Sequence, residues 1–312
     1  MRKSQRLKRG VGRFVAGTAN LADPHAFESP RFHIVPQNGW HRFLWKLDIH
    51  ALNTLPWNGH TQPPKPPCPC FILPASDEIA IVIANEKETL ENMGWKTFTC
   101  DADIIQRLQN KVMLRDYAER LKLLKYLPQH YKTLAKAKFP CMLKGAHGNH
   151  GKTVWMVNSR EEAIDVMGVD DVVDDGDWLL QEIVPGKCEY AVSLLVRDGE
   201  ILDAVETRYE YDRDVYVWPH VEELGRNSEG VIRKEHLSVM RSFVANYTGV
   251  CNFNHKLRKN GDMAIFEVNT RIGADLACDV PRDRARVFFE KLSSLSRSEE
   301  QFEEFEESVM SS

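Results

Sequence analysis

The sequence contains no apolar run that approaches the roughly 20 residues a membrane helix requires. The longest uncharged apolar stretches are short, and one of them runs from Ile79 to Ala84. This length suits a buried strand. No apolar core of a signal peptide follows the basic start of the chain. We therefore expect a cytoplasmic protein without a membrane partner.

Cysteine is scarce, and the seven residues present form an odd number scattered mainly through apolar segments. Cys68 and Cys70 flank Pro69, but no second pair with zinc-ligand spacing accompanies them. This pattern favours reduced thiols over a disulfide framework and does not predict a zinc site.

A large charge of either sign is also missing, because the formal net charge is −4 over 312 residues. The whole protein therefore offers no reason to expect nucleic acid as a partner. The two ends nevertheless differ, since a basic segment precedes the first acid and an acidic segment closes the chain. Such runs are usually solvated tails, whereas the basic start also fits organelle targeting or a nucleic-acid contact. The basic residues are Arg2, Lys3, Arg6, Lys8, Arg9 and Arg13, and the acidic ones are Glu299, Glu300, Glu303, Glu304, Glu306 and Glu307.

A chain of this length suits two or three subdomains, and its 43% hydrophobic content is that of a soluble protein. Residues 1–70 show no clear fold. Phe71 to Pro74 predicts a short strand, Ser76-Asp77-Glu78 a helix start, and Trp95 to Cys100 another strand. This strand-helix-strand order is typical of an α/β region.

The next segment is predicted to be mainly helical. Apolar residues at helical spacing predict a helix from Asp101 to Tyr131, with Lys111 near the start of its second half. Pro128 breaks that helix, and Lys132 to Lys138 predicts a shorter one.

A glycine-rich loop follows a strand that ends in Lys144. Gly145 to Thr153 contains three glycines, which let a backbone approach an anion closely. The loop is not a P-loop, because Ala146 occupies the required glycine position and Val154 to Val157 predicts a strand. It is typical of a hairpin that covers phosphates, and a hairpin without a ligand remains the alternative.

Trp178 to Val184 predicts an apolar strand that leads through Pro185-Gly186 into Glu189 and a second strand. A strand entering such a linker, with a carboxylate nearby, can hold an adenosine. A plain antiparallel meander explains the same residues.

The stretch from Phe266 to Gly273 carries the main chemical signal. In a strand, Glu267, Asn269 and Arg271 share one face, while Phe266 and Val268 turn toward a core. Two oxygen ligands and a guanidinium suit a divalent cation and the phosphates that it bridges. A solvent-exposed edge strand is the alternative interpretation.

The surroundings of that stretch support a hairpin. Asn260-Gly261 predicts a tight turn between strands at Gly249 to Leu257 and Met263 to Asn269. Residues 209–230 read as a loop, whereas Val231 to Tyr247 and Leu276 to Leu292 read as helices.

In this order and spacing, the chain resembles the ATP-grasp superfamily, especially its carbamoyl-phosphate synthase and biotin-carboxylase-like branch. The resemblance covers roughly residues 71–292. The motifs that carry it are Asn110-Lys111, Phe139-Pro140 with Lys144, the loop 145–151, Gln181 to Gly186 with Glu189-Tyr190, Asn252, Asn254 and Glu267 to Arg271.

The resemblance implies an α/β (α+β) fold in which two α+β subdomains clasp ATP behind a partial α/β N-terminal region. It places the N-terminal extension at 1–70, the end of the α/β region at 71–109 and the ATP-grasp domain at 110–292. The glycine-loop lid would span about 133–183, and an acidic tail would follow at 293–312.

The resemblance also implies roles for individual residues. Lys111 and Lys144 would hold ATP phosphates, and the glycine loop would close over them through His147, Gly148 and Gly151. Glu182, Ile183 and Val184 would meet adenine, and Glu189 would bind the ribose. Glu267, Asn269 and Asn254 would ligate one or two Mg²⁺ ions, with Mn²⁺ as an alternative metal. Arg271 and Lys144 would act in catalysis on the transferring phosphoryl group.

The function implied is an ATP-dependent ligase that activates a carboxylate as an acyl-phosphate and joins it to an amine. An ATP-binding regulatory module with weak or no catalysis is the alternative, and nucleic-acid binding through residues 1–13 is a third hypothesis. Neither the small-molecule substrates nor the oligomeric state can be identified from the sequence. His220, His255 and Glu206 are candidates for activating the nucleophile.

Overall fold

A computed structural model describes residues 32–35, 70–145, 153–168, 178–217 and 220–295. The predictions for His147, Gly148, Gly151, the tail after residue 295 and most of the first 70 residues lie outside these ranges. Within them, no helix is long and apolar enough to cross a membrane. Five cysteines of the described ranges are free thiols.

The N-terminal unit is a three-stranded parallel sheet in the order β1-β2-β3. Its strands are β1 (Phe32–Val35), β2 (Cys70–Pro74) and β3 (Trp95–Thr97). Strand β1 was not predicted from the sequence, and it pairs with β2 in a register that sets Phe32 opposite Phe71.

Helices α1 (Asp77–Asn85) and α2 (Lys87–Asn92) connect β2 to β3. The side chain of Ser76 accepts a 3.2 Å hydrogen bond from the backbone N–H of Ile79, which caps α1. The strand suggested by the apolar letters from Ile79 to Ala84 is therefore wrong, and the predicted helix start is confirmed. Ile79 and Ile83 bury the inner face of this helix.

The long helix predicted from Asp101 to Tyr131 is divided in the structure. It consists of α3 (Ala102–Gln109), α4 (Lys111–Arg120) and a single 3₁₀ turn at Leu124–Tyr126. Asn110 interrupts it because its extended backbone ends α3, while its side chain accepts 3.0 Å bonds from the N–H groups of Val112 and Met113.

A three-stranded antiparallel sheet of order β5-β4-β6 follows. Its strands are β4 (Cys141–Gly145), β5 (Val154–Val157) and β6 (Trp178–Glu182). A 3₁₀ turn at Leu134–Lys136 replaces the predicted short helix, and α5 (Arg160–Met167) begins at the predicted Ser159 cap. The N–H of Gly145 donates to the carbonyl of Thr153 at 2.9 Å, so the glycine loop begins and ends at one point of this sheet.

The largest sheet has five antiparallel strands in the order β11-β10-β7-β8-β9. They are β7 (Cys188–Arg197), β8 (Glu200–Tyr211), β9 (Glu223–Asn227), β10 (Gly249–Leu257) and β11 (Met263–Asn269). Both strands predicted around Asn260-Gly261 are confirmed, and Gly261 adopts the positive φ of 84° that the turn requires. The prediction of a loop at 209–230 is wrong in part, because β9 lies there.

The two faces of the five-stranded sheet are covered differently. On one face, Val192 and Phe253 pack against helix α6 (Lys234–Phe243), which contributes Met240 and Phe243. On the other face, Leu195 and Val250 pack against a π-helical turn (Asp275–Asp279) and a last helix, α7, at 282–295. Helix α6 is shorter than the predicted span from Val231 to Tyr247. The helix predicted from Leu276 to Leu292 is divided at Pro281, and its second part continues to residue 295.

Candidate nucleotide site

The predicted metal ligands lie together on the β10–β11 hairpin. The register sets Asn254 opposite Glu267 and Asn252 opposite Asn269. The side-chain amides of Asn254 and Asn269 donate to the same oxygen, Oε1 of Glu267, at 3.0 Å and 3.3 Å. The set supplies one carboxylate and two carboxamides, which are hard oxygen donors of the kind that Mg²⁺ accepts.

The orientation of each carboxamide follows from its neighbours, because nitrogen and oxygen of such a group are assigned from hydrogen bonds. Facing Glu267 alone, Asn254 and Asn269 present N–H groups. Facing a cation, each would present Oδ1 after a half-turn of the amide. Among the described residues, no group of three His, Cys, Asp or Glu side chains forms an alternative metal site.

Phe266 departs from its predicted position. The register of β10 with β11 shifts between Asn254 and His255, so Phe266 is an additional residue in a β-bulge. It is half-buried rather than part of the core, and its ring centroid lies 5.2 Å from Nζ of Lys144. Through this contact the bulge links β11, which carries Glu267, to β4, which carries Lys144.

Glu267 lies at the centre of a group of positive charges. Burial alone would raise its pKa, but Lys111, Lys144 and Arg271 and the hydrogen bond from Asn269 together hold the pKa below its usual value. The carboxylate is therefore ionised at neutral pH. Three predicted cationic residues from three separate elements thus surround one predicted metal ligand.

Lys144 is itself strongly perturbed. Burial lowers the pKa of its ammonium group to about 8, and repulsion from Lys111 adds to this, while Glu267 and Glu189 oppose it. An anion that binds near both lysines would offset the repulsion between them. The phosphates of a nucleotide would provide one.

Lys111 owes its position to the break in the helix. It is the first residue of α4, directly after the Asn110 cap, so its side chain leaves the N-terminal turn on the side of Glu267. Thr270, one residue after β11, donates to the side chain of Gln109 at 3.2 Å. That contact fixes the junction of α3 and α4 against the end of β11.

Glu182, Ile183 and Val184, the predicted adenine contacts at the end of β6, are called the hinge here and differ in their surroundings. The carboxylate of Glu182 is engaged in the structure, because Oε1 accepts from Arg258 at 2.5 Å and from the N–H of Gln129 at 2.8 Å. Ile183 and Val184 are different, since no described residue pairs with their backbone N–H and C=O groups. An adenine contact at this hinge stays a prediction.

Glu189, the predicted ribose ligand, faces the same space as Glu267. Burial raises the pKa of Glu189, while a hydrogen bond from Tyr216 and the charge of Lys256 lower it. Tyr216 Oη donates to Oε2 of Glu189 at 2.9 Å. The ammonium group of Lys256 lies 3.9 Å from the centroid of the Tyr216 ring.

The sequence analysis missed Lys256 and Tyr216. Lys256 shares the strand parity of Asn252 and Asn254, so alternation along β10 could have placed it on this face. Tyr216 follows β8 outside any regular element, and no sequence signal marks it.

Arg271 meets a carboxylate that the sequence analysis had assigned only to a helix start. Its Nε lies 3.8 Å from Oδ1 of Asp77, and both side chains are largely buried. Burial raises the pKa of Asp77 to about 6, Arg271 opposes that shift, and Glu267 adds to it. Among the described residues, none makes a hydrogen bond to Asp77 Oδ1. A carboxylate directly after a parallel strand is a signal that could have identified it, because ligands bind at that edge.

A buried polar network supports the loop that carries Arg271. Ser193 donates to both carboxylate oxygens of Asp275, at 3.1 Å and 3.0 Å, and Asn252 donates to Oδ1 at 2.9 Å. Gly273 lies directly above, where an added Cβ would clash with Asp275 and Asn252. Asn252 therefore holds this loop, which distinguishes it from Asn254.

His255, a candidate for activating the nucleophile, lies away from the site. It points to the opposite face of the five-stranded sheet, where its ring stacks on Tyr190 at 5.2 Å and meets His236 at 5.9 Å. Burial lowers its pKa to about 3. His255 is therefore neutral at physiological pH, and it packs beneath α6 instead of facing Glu267.

No family model matches the sequence, and a search of curated proteins found no similar sequence. Solved structures do match. A carboxyaminoimidazole ribonucleotide synthase from Aspergillus clavatus, complexed with ATP, gives a TM-score of 0.51 at 14% identity, over 79% of this chain and 71% of that one. This chain has the ATP-grasp fold.

Two further structures are similar. The N5-carboxyaminoimidazole synthase from Aspergillus clavatus, in complex with ADP and 5-aminoimidazole ribonucleotide, gives a TM-score of 0.51 at 17% identity, over 78% of this chain and 70% of that one. An L-amino acid ligase from Bacillus licheniformis gives a TM-score of 0.48 at 17% identity over 65% of this chain. The chain spans about half of that ligase, 49% of its length.

At these identities the likeness concerns the ATP-grasp fold alone. Lys144 and Glu267 belong to two different sheets of this fold, and their charges act on each other.

Proposed function

We propose that the protein is an ATP-dependent ligase that binds Mg-ATP between the two sheets. It would transfer the γ-phosphoryl group to a carboxylate and join the resulting acyl group to an amine. The observation that carries this proposal is the convergence of Lys111, Lys144 and Arg271 on the buried, ionised Glu267. Cations and a carboxylate in one buried cleft suit a polyphosphate and its counter-ion.

The nucleotide would be held from three directions. Lys111 and Lys144 would neutralise phosphate oxygens, and the backbone groups of Ile183 and Val184, which no described residue pairs with, would meet adenine. Glu189 would accept from a ribose hydroxyl. Glu182 would act indirectly, because its carboxylate fixes the hinge through Arg258 and the N–H of Gln129.

The residues present fit a hydrated magnesium ion. Glu267, Asn269 and Asn254 would hold it, and it would neutralise charge on the β- and γ-phosphates. A single carboxylate among three ligands favours a site that depends on the nucleotide for further oxygen ligands. This composition is also the observation behind a second candidate, an ATP-binding module of the same fold with weak or no turnover.

The proposed chemistry consists of two displacements. A carboxylate oxygen of the substrate attacks the γ-phosphorus, the bond to the β–γ bridging oxygen breaks, and ADP leaves. The amine nitrogen then attacks the acyl carbon, the bond to phosphate breaks, and the amine loses a proton. Arg271 and Lys144 would stabilise the charge that develops on the transferring group.

The acceptor would lie beside Asp77. This carboxylate comes from the N-terminal unit, stands next to Arg271, and has a buried oxygen without a hydrogen-bond partner among the described residues. An ammonium group would supply that missing partner, while Arg271 would hold an anionic group at its side. This pair suits an amine substrate.

The function is tested by incubating the protein with Mg-ATP and pools of amino acids and small carboxylates, and measuring ADP and phosphate. We expect release that requires a pool and is abolished by Glu267→Ala. Glu229→Gln is the matched control, because it makes the same kind of change in an exposed glutamate that is not among the proposed site residues. ADP binding without turnover in any pool would favour the second candidate.

A further inference from the structure

The Glu189 carboxylate is held by only one of its two oxygens. Tyr216 Oη donates to Oε2 at 2.9 Å, whereas no described residue donates to Oε1. Burial, followed by the charge of Glu189, raises the pKa of the Tyr216 hydroxyl, so that hydroxyl keeps its proton and remains a donor. One oxygen is thus fixed by the protein, and the other is available to a ligand.

Tyr216 is fixed in turn by contacts that involve its ring rather than its hydroxyl. The ring lies 3.9 Å from the ammonium group of Lys256 and 4.7 Å from the ring of Tyr211. The backbone nearby is anchored as well, because the carbonyl of Asp214 accepts from Lys256 at 3.3 Å and from the N–H of Gly186 at 3.0 Å. The segment after β8 is therefore attached to both the hinge and β10.

This arrangement separates the two parts of the tyrosine. The ring packs on Lys256 and Tyr211, and a phenylalanine would preserve that packing. Among the described residues, the hydroxyl has one hydrogen-bond partner, Glu189. If Tyr216 served packing alone, its hydroxyl would not be needed. The hydrogen bond that the hydroxyl donates restricts the rotation of the Glu189 carboxylate.

We propose that Tyr216 is a positioning residue that fixes Glu189 so that its Oε1 accepts a ribose hydroxyl, which makes the site select ribonucleotides over deoxyribonucleotides. This inference rests on the proposed function, because it requires a nucleotide in the cleft. The selectivity arises because a buried carboxylate that loses its donor is left without a partner. The Tyr216 hydroxyl increases this selectivity because its hydrogen bond keeps the Glu189 carboxylate from rotating away from the ribose.

The experiment is calorimetric titration, in the presence of Mg²⁺, with ADP, 2′-deoxy-ADP and 3′-deoxy-ADP. ADP is chosen so that no turnover accompanies binding. The unsubstituted protein is expected to bind ADP about tenfold more tightly than at least one deoxy analogue, as for a hydrogen bond to a charged group. In Tyr216→Phe, the affinity for ADP should fall about five- to tenfold, while that for the discriminated analogue changes less than about twofold.

Two further variants complete the design. Tyr211→Phe removes the hydroxyl of the neighbouring tyrosine, which has no bond to Glu189, and should keep the full preference. Glu189→Gln should lose the preference, because a neutral carboxamide accepts more weakly. Thermal melting of each variant shows that it is folded.

The outcomes are distinct. A Tyr216→Phe variant that keeps the preference for ADP overturns the proposal, and so does an unsubstituted protein that binds all three nucleotides equally. Both results leave the proposed function standing, since ADP still binds. Failure of the unsubstituted protein to bind ADP at all would overturn the proposed function together with this inference.

Discussion

The side-chain amide of Asn254 donates a 3.0 Å hydrogen bond to Oε1 of Glu267 across the β10–β11 hairpin. A carboxamide thus occupies a position where a second carboxylate would face Glu267 directly. Without a cation, two carboxylates at this distance would repel each other. The asparagine avoids that repulsion in the absence of a cation.

Asn254→Asp should therefore couple stability to magnesium. We expect its melting temperature to fall below that of the unsubstituted protein without metal and to rise more steeply with added Mg²⁺, because the ion neutralises the new pair. Asn227→Asp, on the exposed strand β9, is the control. A melting temperature of Asn254→Asp that does not respond to Mg²⁺ would contradict the metal assignment.

Lys144 should make nucleotide binding depend on pH. Its pKa is about 8 in the free protein, and phosphates would raise it, so binding above pH 8 requires uptake of a proton. The affinity for ADP should fall by up to about tenfold per unit as the pH rises above 8. Calorimetry from about pH 7 to about pH 9.5, on both sides of that pKa, would measure the dependence. Lys144→Met should bind weakly and lose the dependence, and a pH-independent affinity would exclude Lys144 from phosphate contact.

Asp77 should matter for the acceptor and not for the nucleotide. Asp77→Asn is expected to lower amine-dependent ADP release by about tenfold or more while leaving ADP affinity unchanged, since the ammonium loses a charged partner. Glu78→Gln is the matched control, because Glu78 is exposed in the same turn of α1. Equal losses in both variants would show that the helix start, and not the Asp77 carboxylate, is responsible.

The same variant tests the raised pKa of Asp77. A carboxyl group with a folded-state pKa of about 6, above its ordinary value, destabilises the protein increasingly as the pH rises toward 6 and then by a constant amount. Asp77→Asn should therefore raise the melting temperature more at about pH 8, where the carboxyl group is charged, than at about pH 4.5, where it is mostly protonated. The reverse order would contradict the burial of the charged group.

Gly273→Ala should disturb the loop that carries Arg271. The added Cβ would clash with Asp275 and Asn252, so the loop must move or the buried network must open. We expect a loss of about 1–3 kcal/mol in the free energy of unfolding by urea, together with a fall in ADP release. Gly225→Ala is the control, because a Cβ there meets nothing within 4 Å. Equal stability of the two variants would mean that the network does not hold the loop.

The hairpin of the site could be predicted from the sequence because its signals are local. Alternation along β10 and β11, and the turn chemistry of Asn260-Gly261, determine which side chains share a face. Phe266 was misplaced because a bulge adds one residue and breaks that alternation. Apolar spacing predicted one helix across Asn110 because that spacing continues past the break. The resemblance, in contrast, has a helix opening at Asn110-Lys111, as the structure does.

The partners from elsewhere in the chain could not be predicted in the same way. The contact of Arg271 with Asp77 depends on how the parallel sheet packs against the end of β11, where Ile272 N–H donates to the carbonyl of Pro74 at 3.1 Å. The contact of Tyr216 with Glu189 depends on an irregular segment. Such long-range packing leaves no periodic pattern in the sequence.

The most direct test of a ligase site centred on Glu267 is the release of ADP and phosphate from Mg-ATP in the presence of pooled amino acids and small carboxylates. We predict release that depends on the pool, falls by about a hundredfold or more in Glu267→Ala, and is unchanged in Glu229→Gln. Release that survives Glu267→Ala, or no release from the unsubstituted protein in any pool, would contradict this account.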